Sequence, residues 1–136
     1  MTTVPSLIVA HTLAGLPVSD MATAEDWYVR LFGRPADAAP MPGLLDFHTS
    51  DLATVQIVLD VENAGGGMLS LGVSSIDDAI VGREGRGLDP QRDDTTSDKV
   101  RLGTLRDPDG NRITLLETRS GFSNATRAPA RTADET

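Results

Sequence analysis

Residues 107–113 read DPDGNRI, and the first four of them separate two segments of alternating apolar and polar residues, 99–106 and 111–117. Pro108 fixes φ near the value that a tight turn needs, and Gly110 tolerates a positive φ. Alternation with a period of two is typical of a β-strand that is buried on one face. The stretch therefore predicts two antiparallel strands joined by a tight turn near the end of the chain.

A strand followed by a capped helix is predicted much earlier in the chain. Residues 6–18 are rich in Leu, Ile and Val, and Ser19 or Asp20 follows them as a side chain that can accept the free N–H groups of a helix start. Apolar residues then recur at a spacing of three to four from Met21 to Phe32. Gly33 follows directly and is typical of a helix C-terminus.

Trp27 and Tyr28 lie on the apolar face of this predicted helix. Aromatic residues in such a position are more often part of the core than a platform for a ligand. We therefore expect both rings to pack in the core, with their polar tips finding partners at its edge.

Shorter elements fill the rest of the first half. Strands are predicted at residues 34–38, 44–48 and 54–59. The sequence pattern that supports a strand is weakest at residues 34–38. The glycine triplet at residues 65–67 then predicts a flexible pivot, after which the pattern of elements starts again.

The second half repeats the order of the first. A strand is predicted at residues 68–73, and Ser75 begins a helix that ends near Gly85 or Gly87. The acidic stretch at residues 89–98 predicts a solvated loop. A weak internal repeat supports the duplication, since four residues recur in order at one constant offset: Leu16, Val18, Ser19 and Ala24 as Leu71, Val73, Ser74 and Ala79.

The residues quoted so far resemble the glyoxalase and bleomycin-resistance family, also called the vicinal oxygen chelate superfamily. The resemblance rests on LPVSD at 16–20, on the aromatic and glycine positions of the first helix, and on DPDGNRI at 107–113. It implies an α+β fold of two βαβββ modules, about residues 6–62 and 67–119, whose strands form a curled mixed sheet with a concave ligand-binding face. It also implies a homodimer.

Composition narrows the class of protein. The chain has 136 residues, a net charge of −8 and no cysteine. We expect one domain over residues 1–122 and, because no large apolar residue follows Ser123, a disordered tail over residues 123–136. The negative charge argues against nucleic acid and against a membrane surface as partners. Without a basic leader or a long apolar run, the sequence predicts a cytoplasmic protein.

Strand alternation separates the core from the predicted ligand-binding face. The apolar set expected under the helices consists of Leu16, Val18, Val55, Ile57, Leu69, Leu71, Val73, Ile113 and Leu115. Their strand neighbours must face the concavity. The predicted ligand-binding residues are therefore His11, Leu13, Asp46, His48, Gln56, Met68, Ser70, Arg112 and Thr114.

Metal-dependent members of the family place one ligand on the first and one on the last strand of each module. By motif, those positions in this chain are Leu13, Gln56, Met68 and Thr114. Leucine has no donor atom, a thioether suits hard or borderline divalent ions poorly, and a neutral hydroxyl coordinates weakly. We therefore predict no metal site at these positions and no cofactor.

Three functions follow from these expectations. The first is a metal-independent small-molecule-binding protein that sequesters or carries an organic ligand. The second is a metal-independent isomerase, cyclase or lyase in which His48 acts as general acid or base beside Asp46. The third is a metal-dependent lyase or dioxygenase with a relocated site built on His11, His48 and a carboxylate.

Overall fold

The computed structural model describes residues 4–97 and 99–118. The elements in chain order are β1 (Thr12–Val18), α1 (Met21–Phe32), β2 (Ala38–Met41), β3 (Leu44–Ser50), β4 (Ala53–Leu59), β5 (Met68–Gly72), α2 (Ile76–Glu84), β6 (Gln91–Ser97), β7 (Val100–Arg106) and β8 (Arg112–Thr118). Each half has the order βαβββ, so the predicted α+β fold of two modules is confirmed. The tail predicted at residues 123–136 lies outside the described residues.

The strands form two four-stranded mixed sheets, one for each module. Their orders are β1-β4-β3-β2 and β5-β8-β7-β6. The outer pairs β1/β4 and β5/β8 are parallel, and the other neighbours are antiparallel. The two sheets approach each other at their edge strands β1 and β5. The predicted mixed sheet is therefore present as two separately hydrogen-bonded halves.

Both helices begin at the predicted caps. The Asp20 side chain accepts a hydrogen bond of 3.1 Å from the Thr23 amide, and Gly33 ends α1 in the left-handed region at φ 77°. The Ser75 hydroxyl accepts from the Asp78 amide at 3.1 Å. A second acceptor at the start of α2 comes from β8, where Oε1 of Glu117 lies 2.7 Å from the Ile76 amide. These contacts satisfy N–H groups that have no partner within a helix.

A single core joins both modules. The predicted apolar set is buried or packs against the buried residues, and Phe47, Leu105 and Tyr28 join it. Trp27 lies half-buried with its ring edge against Tyr28, which agrees with the expected packing role. The strand faces turned toward the helices are therefore the ones that alternation assigned to the core.

The turn between β7 and β8 fastens module two to module one. Asn111, fully buried, donates from Nδ2 to the Pro17 carbonyl at 2.7 Å and to Oδ2 of Asp107 at 2.7 Å. Oδ2 of Asp107 also accepts from the Tyr28 hydroxyl on α1 at 2.7 Å. Burial, followed by the hydrogen bond to Asp107, raises the pKa of Tyr28 well above its ordinary value. The DPDGN sequence therefore has a structural role between the modules.

The glycine triplet packs against this same turn. Gly65 has φ 88°, and a Cβ there would lie 2.3 Å from the Asp109 carbonyl oxygen. The Gly67 amide donates to Oδ1 of Asn111 at 2.6 Å. Glycine is thus required at position 65 both by its positive φ and by the close approach of the Asp109 carbonyl oxygen. The prediction of a flexible pivot did not include this packing role.

The strand predicted at residues 34–38 is displaced to Ala38–Met41. The preceding residues bond through side chains instead: Nη1 of Arg34 lies 2.6 Å from Oδ2 of Asp37, and that oxygen also accepts from the His48 amide. Pro35 adds a backbone nitrogen with no N–H to donate. The first strand also begins later than its apolar pattern, at Thr12, and residues 4–11 lie exposed outside the sheet.

The prediction of a loop at residues 89–98 was wrong, because Gln91–Ser97 forms β6 and pairs antiparallel with β7. An edge strand bonds on one side only and faces water on the other, so it accommodates polar residues that a central strand would not. Arg92 on this strand pairs with Asp77 of α2 at 2.6 Å. No helix in the described ranges is long and apolar enough to cross a bilayer.

Candidate functional site

The open face of each sheet, defined as the side turned away from the helices, carries most of the predicted ligand-binding residues. In module one, the register aligns Gly15 with Gln56 and Asp46 across three strands. The next row aligns Leu13 with Thr54 and His48. Because residues two apart share a face, Leu13, Asp46, His48 and Gln56 lie on the same side of the sheet.

The open face of module two carries the other group. Met68 lies opposite Arg112, and Ser70 lies opposite Thr114. Nη2 of Arg112 contacts the Met68 sulfur at 3.6 Å. Met68 and Ser70 are exposed, and Thr114 is half-buried. The four residues thus form one polar and apolar surface on β5 and β8.

His11 lies outside the sheet but contacts the module-one group through Thr54, which aligns with Leu13 and His48. It precedes β1, and its Nε2 lies 2.7 Å from the hydroxyl of the buried Thr54. It also lines a pocket of about 320 Å³ together with Val9, Ala10, Thr12, Ser50, Leu52 and Ala53. Of the predicted ligand-binding residues, this pocket includes His11 alone. The structure therefore brings the predicted residues together as two strand faces and one neighbouring pocket.

An amide–carboxylate pair lies at the centre of the module-one face. Nε2 of Gln56 donates to Oδ1 of Asp46 at 3.1 Å, across the β3–β4 pair. Both side chains are half-buried. The hydrogen bond fixes the orientation of the amide, so Gln56 presents a defined polar edge to anything that binds on this face.

His48 is held through its backbone and leaves its ring exposed. Its amide donates to Oδ2 of Asp37 at 2.6 Å, and its carbonyl accepts from Arg34. The hydrogen bond from Arg34, followed by that from the His48 amide, lowers the pKa of Asp37. Sequence reasoning missed Arg34 and Asp37. Their three-residue spacing directly after a helix was the available signal, but the same stretch was interpreted as a strand.

The four positions that the family resemblance assigns to metal ligands do not fit a divalent ion. Leu13 and Met68 are exposed to 54% and 70% and offer no hard donor atom. The Gln56 amide is engaged with Asp46, and Thr114 offers a neutral hydroxyl. Elsewhere in residues 4–97 and 99–118, no three His, Asp or Glu side chains are grouped closely enough to hold a metal.

Several solved structures with the same fold are glyoxalase/bleomycin resistance proteins. One from Catenulispora acidiphila DSM 44928 is 29% identical with a TM-score of 0.75, over 79% of this chain and 97% of its own. Another from Streptomyces sp. CB03234 is 26% identical with a TM-score of 0.62, over 77% and 97%. TnmS3, an antibiotic binding protein from Streptomyces sp. CB03234, is 24% identical with a TM-score of 0.69, over 84% and 99%.

No protein-family model and no curated protein sequence matches the chain. The structural likeness nevertheless extends over nearly the whole length of these solved proteins. It agrees with the order and pairing of the strands and with the sequence phrases at both ends of the fold. The chain therefore has the two-module fold of the glyoxalase/bleomycin resistance proteins, consistent with the vicinal oxygen chelate superfamily that its sequence resembles.

Proposed function

We propose that this protein binds a small organic molecule on its open faces without a metal, and sequesters or carries it. One observation carries the proposal. The positions where metal ligands would stand hold two exposed apolar side chains: Leu13, on the same face as the oriented Gln56–Asp46 pair, and Met68, on the open face of the other sheet. A ligand can bury its apolar area on such a surface, and the Gln56–Asp46 pair can select one of its polar groups. The same surface lacks the ligand atoms that a catalytic metal ion needs.

The two apolar side chains supply the affinity in this proposal. Full burial of a Leu or Met side chain is worth about 1.5–3 kcal/mol. The Gln56–Asp46 pair then adds selectivity, because a ligand without matching polar groups would leave the pair desolvated and poorly satisfied. Arg112 on the module-two face supplies a cation for an acidic ligand group.

A homodimer is part of the proposal. Leu13 and Met68 are exposed on the open faces of two different sheets. Exposed apolar side chains are stabilised when another protein surface covers them. A second copy of the chain laid on these faces would enclose the ligand between subunits. The neighbour TnmS3 is described as an antibiotic binding protein, so the fold is compatible with such a role.

Titration calorimetry and thermal unfolding with metal-free bleomycin, and then with a panel of aromatic antibiotics at about 1 mM, test the proposal. We expect at least one compound to raise Tm, and EDTA to leave that shift unchanged. Leu13→Asp and Gln56→Leu should each weaken binding about tenfold or more. Val81→Asp changes a valine on α2 that is also exposed, and it serves as the control.

Two results would remove the proposal. One is the absence of any Tm shift across the panel. The other is binding that disappears with EDTA, together with about one equivalent of a transition metal per chain purified without a His tag, which would favour a metal-dependent lyase or dioxygenase.

The hydrogen bonds that hold the backbone of His48 in place support a catalytic role as the second candidate function. An exposed imidazole on a rigid strand, one row from Asp46, can serve as general acid or base in an isomerase, cyclase or lyase. Transfer of deuterium from solvent into a panel of carbonyl compounds would detect such proton abstraction. His48→Asn should abolish it with the Tm unchanged, and exchange that survives the substitution would exclude His48.

A further inference from the structure

A second pocket, of about 260 Å³, lies on the helix side of the sheets, away from the open faces. Its apolar lining comes from both modules: Leu31 and Phe32 at the end of α1, Leu71 on β5 with Val73 just after that strand, and Leu115 on β8. Arg34, Thr49, Gly72 and Arg83 complete the lining. The lining of the pocket therefore combines five apolar side chains with two arginines.

Arg83 of α2 is a cation for which the described residues provide no ion pair. Its Nε is buried and has no hydrogen-bond partner, and none of the ion pairs found among the described residues involves it. Burial, together with the charge of Arg86, lowers the pKa of Arg83. A buried donor without a partner destabilises the protein. Arg83 as a whole is only partly buried and lines the cleft, so its side chain can meet an acceptor that a ligand supplies there.

The charges around the pocket contrast with those of the whole chain. The chain has a net charge of −8, yet Arg34 lines the cleft with Arg83, and Arg86 acts on Arg83. Arg34 is already engaged with Asp37 and with the His48 carbonyl. Arg83 is thus the arginine of the lining that remains available to pair with an anionic ligand.

We propose that this pocket binds a small organic carboxylate with a compact apolar body. The carboxylate accepts hydrogen bonds from the Arg83 guanidinium, whose planar fork of donors matches its two oxygens. The apolar body packs against Leu71, Val73 and Leu115. A volume of about 260 Å³ is below the usual range for drug-sized ligands, so a single ring or a short branched chain fits best.

This site is separate from the open-face site of the proposed function. Leu71 and Leu115 belong to the strand faces that pack toward the helices, whereas Leu13, Gln56 and Met68 lie on the opposite faces. Binding at one site therefore does not require binding at the other, and residue-specific signals tell them apart.

Titration of the ¹⁵N-labelled full chain with benzoate, followed by amide and Arg83 Nε–H resonances, tests the proposal. We expect saturable shifts at Leu71, Val73 and Arg83 at concentrations up to about 20 mM. Benzyl alcohol, which has the same ring without a charge, should bind at least about tenfold more weakly because it lacks the charge-assisted hydrogen bonds.

Variants separate a specific site from general attraction of anions. Arg83→Met keeps an apolar stem and removes the charge, and it should weaken benzoate binding at least about tenfold while the rest of the spectrum is retained. Arg106→Met, an equal change of charge at an exposed arginine on β7, should leave binding unchanged. The proposal is overturned if benzoate gives no saturable shifts, if Arg83→Met binds it equally well, or if the shifts map to Gln56 and His48.

Discussion

The hydroxyl of Tyr28 donates a 2.7 Å hydrogen bond to Oδ2 of Asp107, a contact between the helix of module one and the β7–β8 turn of module two. Both side chains are buried, and Asn111 donates to the same oxygen. The residues that carry the family resemblance at the two ends of the fold thus meet at one point. Their observed contacts hold the modules together.

Tyr28→Phe removes one of these donors and keeps the ring that packs against Trp27 and Phe32. Because the Asp107 carboxylate stays buried with fewer partners, we expect a loss of about 1–3 kcal/mol in the free energy of unfolding. Urea denaturation measures this change. Trp27→Phe, which leaves the Tyr28–Asp107 contact in place, serves as the comparison, and an unchanged midpoint in Tyr28→Phe would show that the hydrogen bond contributes no net stability.

Tyr28 is the single tyrosine of the chain, so its ionisation can be followed directly. Its pKa is raised in the folded protein, first by burial and then by Asp107. The unfolded chain therefore begins to lose this proton near its ordinary pKa of 10.0, whereas the folded chain retains it, and stability falls as the pH rises above that value.

In an alkaline titration, tyrosinate absorbance should appear together with the loss of helical circular dichroism. Tyrosinate absorbance that appears near pH 10 while the protein is still folded would show that the Tyr28 hydroxyl is not buried against Asp107.

Gly65→Ala places a methyl group 2.3 Å from the Asp109 carbonyl oxygen and forces an alanine to φ 88°. We expect a loss of about 2 kcal/mol or more, because both the backbone strain and the clash must be relieved by movement of the turn. Gly82→Ala is the matched control, since it lies in α2, where a Cβ would meet the Arg86 side chain at an ordinary contact distance of 3.9 Å, and it should stabilise the helix by about 0.5–1 kcal/mol. Equal effects of the two substitutions would contradict the packing role of Gly65.

Glu117→Ala removes the acceptor of the Ile76 amide at the start of α2. A lost cap costs typically about 1 kcal/mol, and the value here should lie at or above it because the contact is partly buried. Glu117→Gln retains an oxygen in place and should lose less. Glu84→Ala alters an exposed glutamate at the other end of α2 and should change stability little. Chemical denaturation of the three variants gives the comparison.

The Asp37 carboxyl group should titrate below its ordinary pKa of 3.8, because Arg34 and the His48 amide favour its charged form. As the pH falls through that lowered value, the contact with the His48 amide weakens, so the His48 amide resonance should move with the same midpoint. Arg34→Met should raise the midpoint toward 3.8. If the His48 amide resonance does not change as Asp37 titrates, the hydrogen bond between the His48 amide and Asp37 is not formed in solution.

Local patterns predicted much of the fold. The caps at Asp20 and Ser75, the end of α1 at Gly33 and the hairpin at 107–113 all depend on neighbours in sequence, and the structure confirms them. Alternation also assigned the core faces correctly, because a strand with one buried face has a strict period of two. The predictions failed at β2 and β6, where pairing with a neighbouring strand overrode a weak or polar local pattern.

By itself, the sequence determined the two-module fold and the residue types on each strand face, since both follow from local backbone preference and from the period of apolar residues. Only the tertiary structure decided which groups meet: Tyr28 with Asp107, Gly65 with Asp109, and Glu117 with the start of α2. It also decided that Arg83 lines a cleft between the modules and forms no ion pair within residues 4–97 and 99–118. These contacts join residues distant along the chain, and their geometry depends on how two sheets and two helices pack around one core.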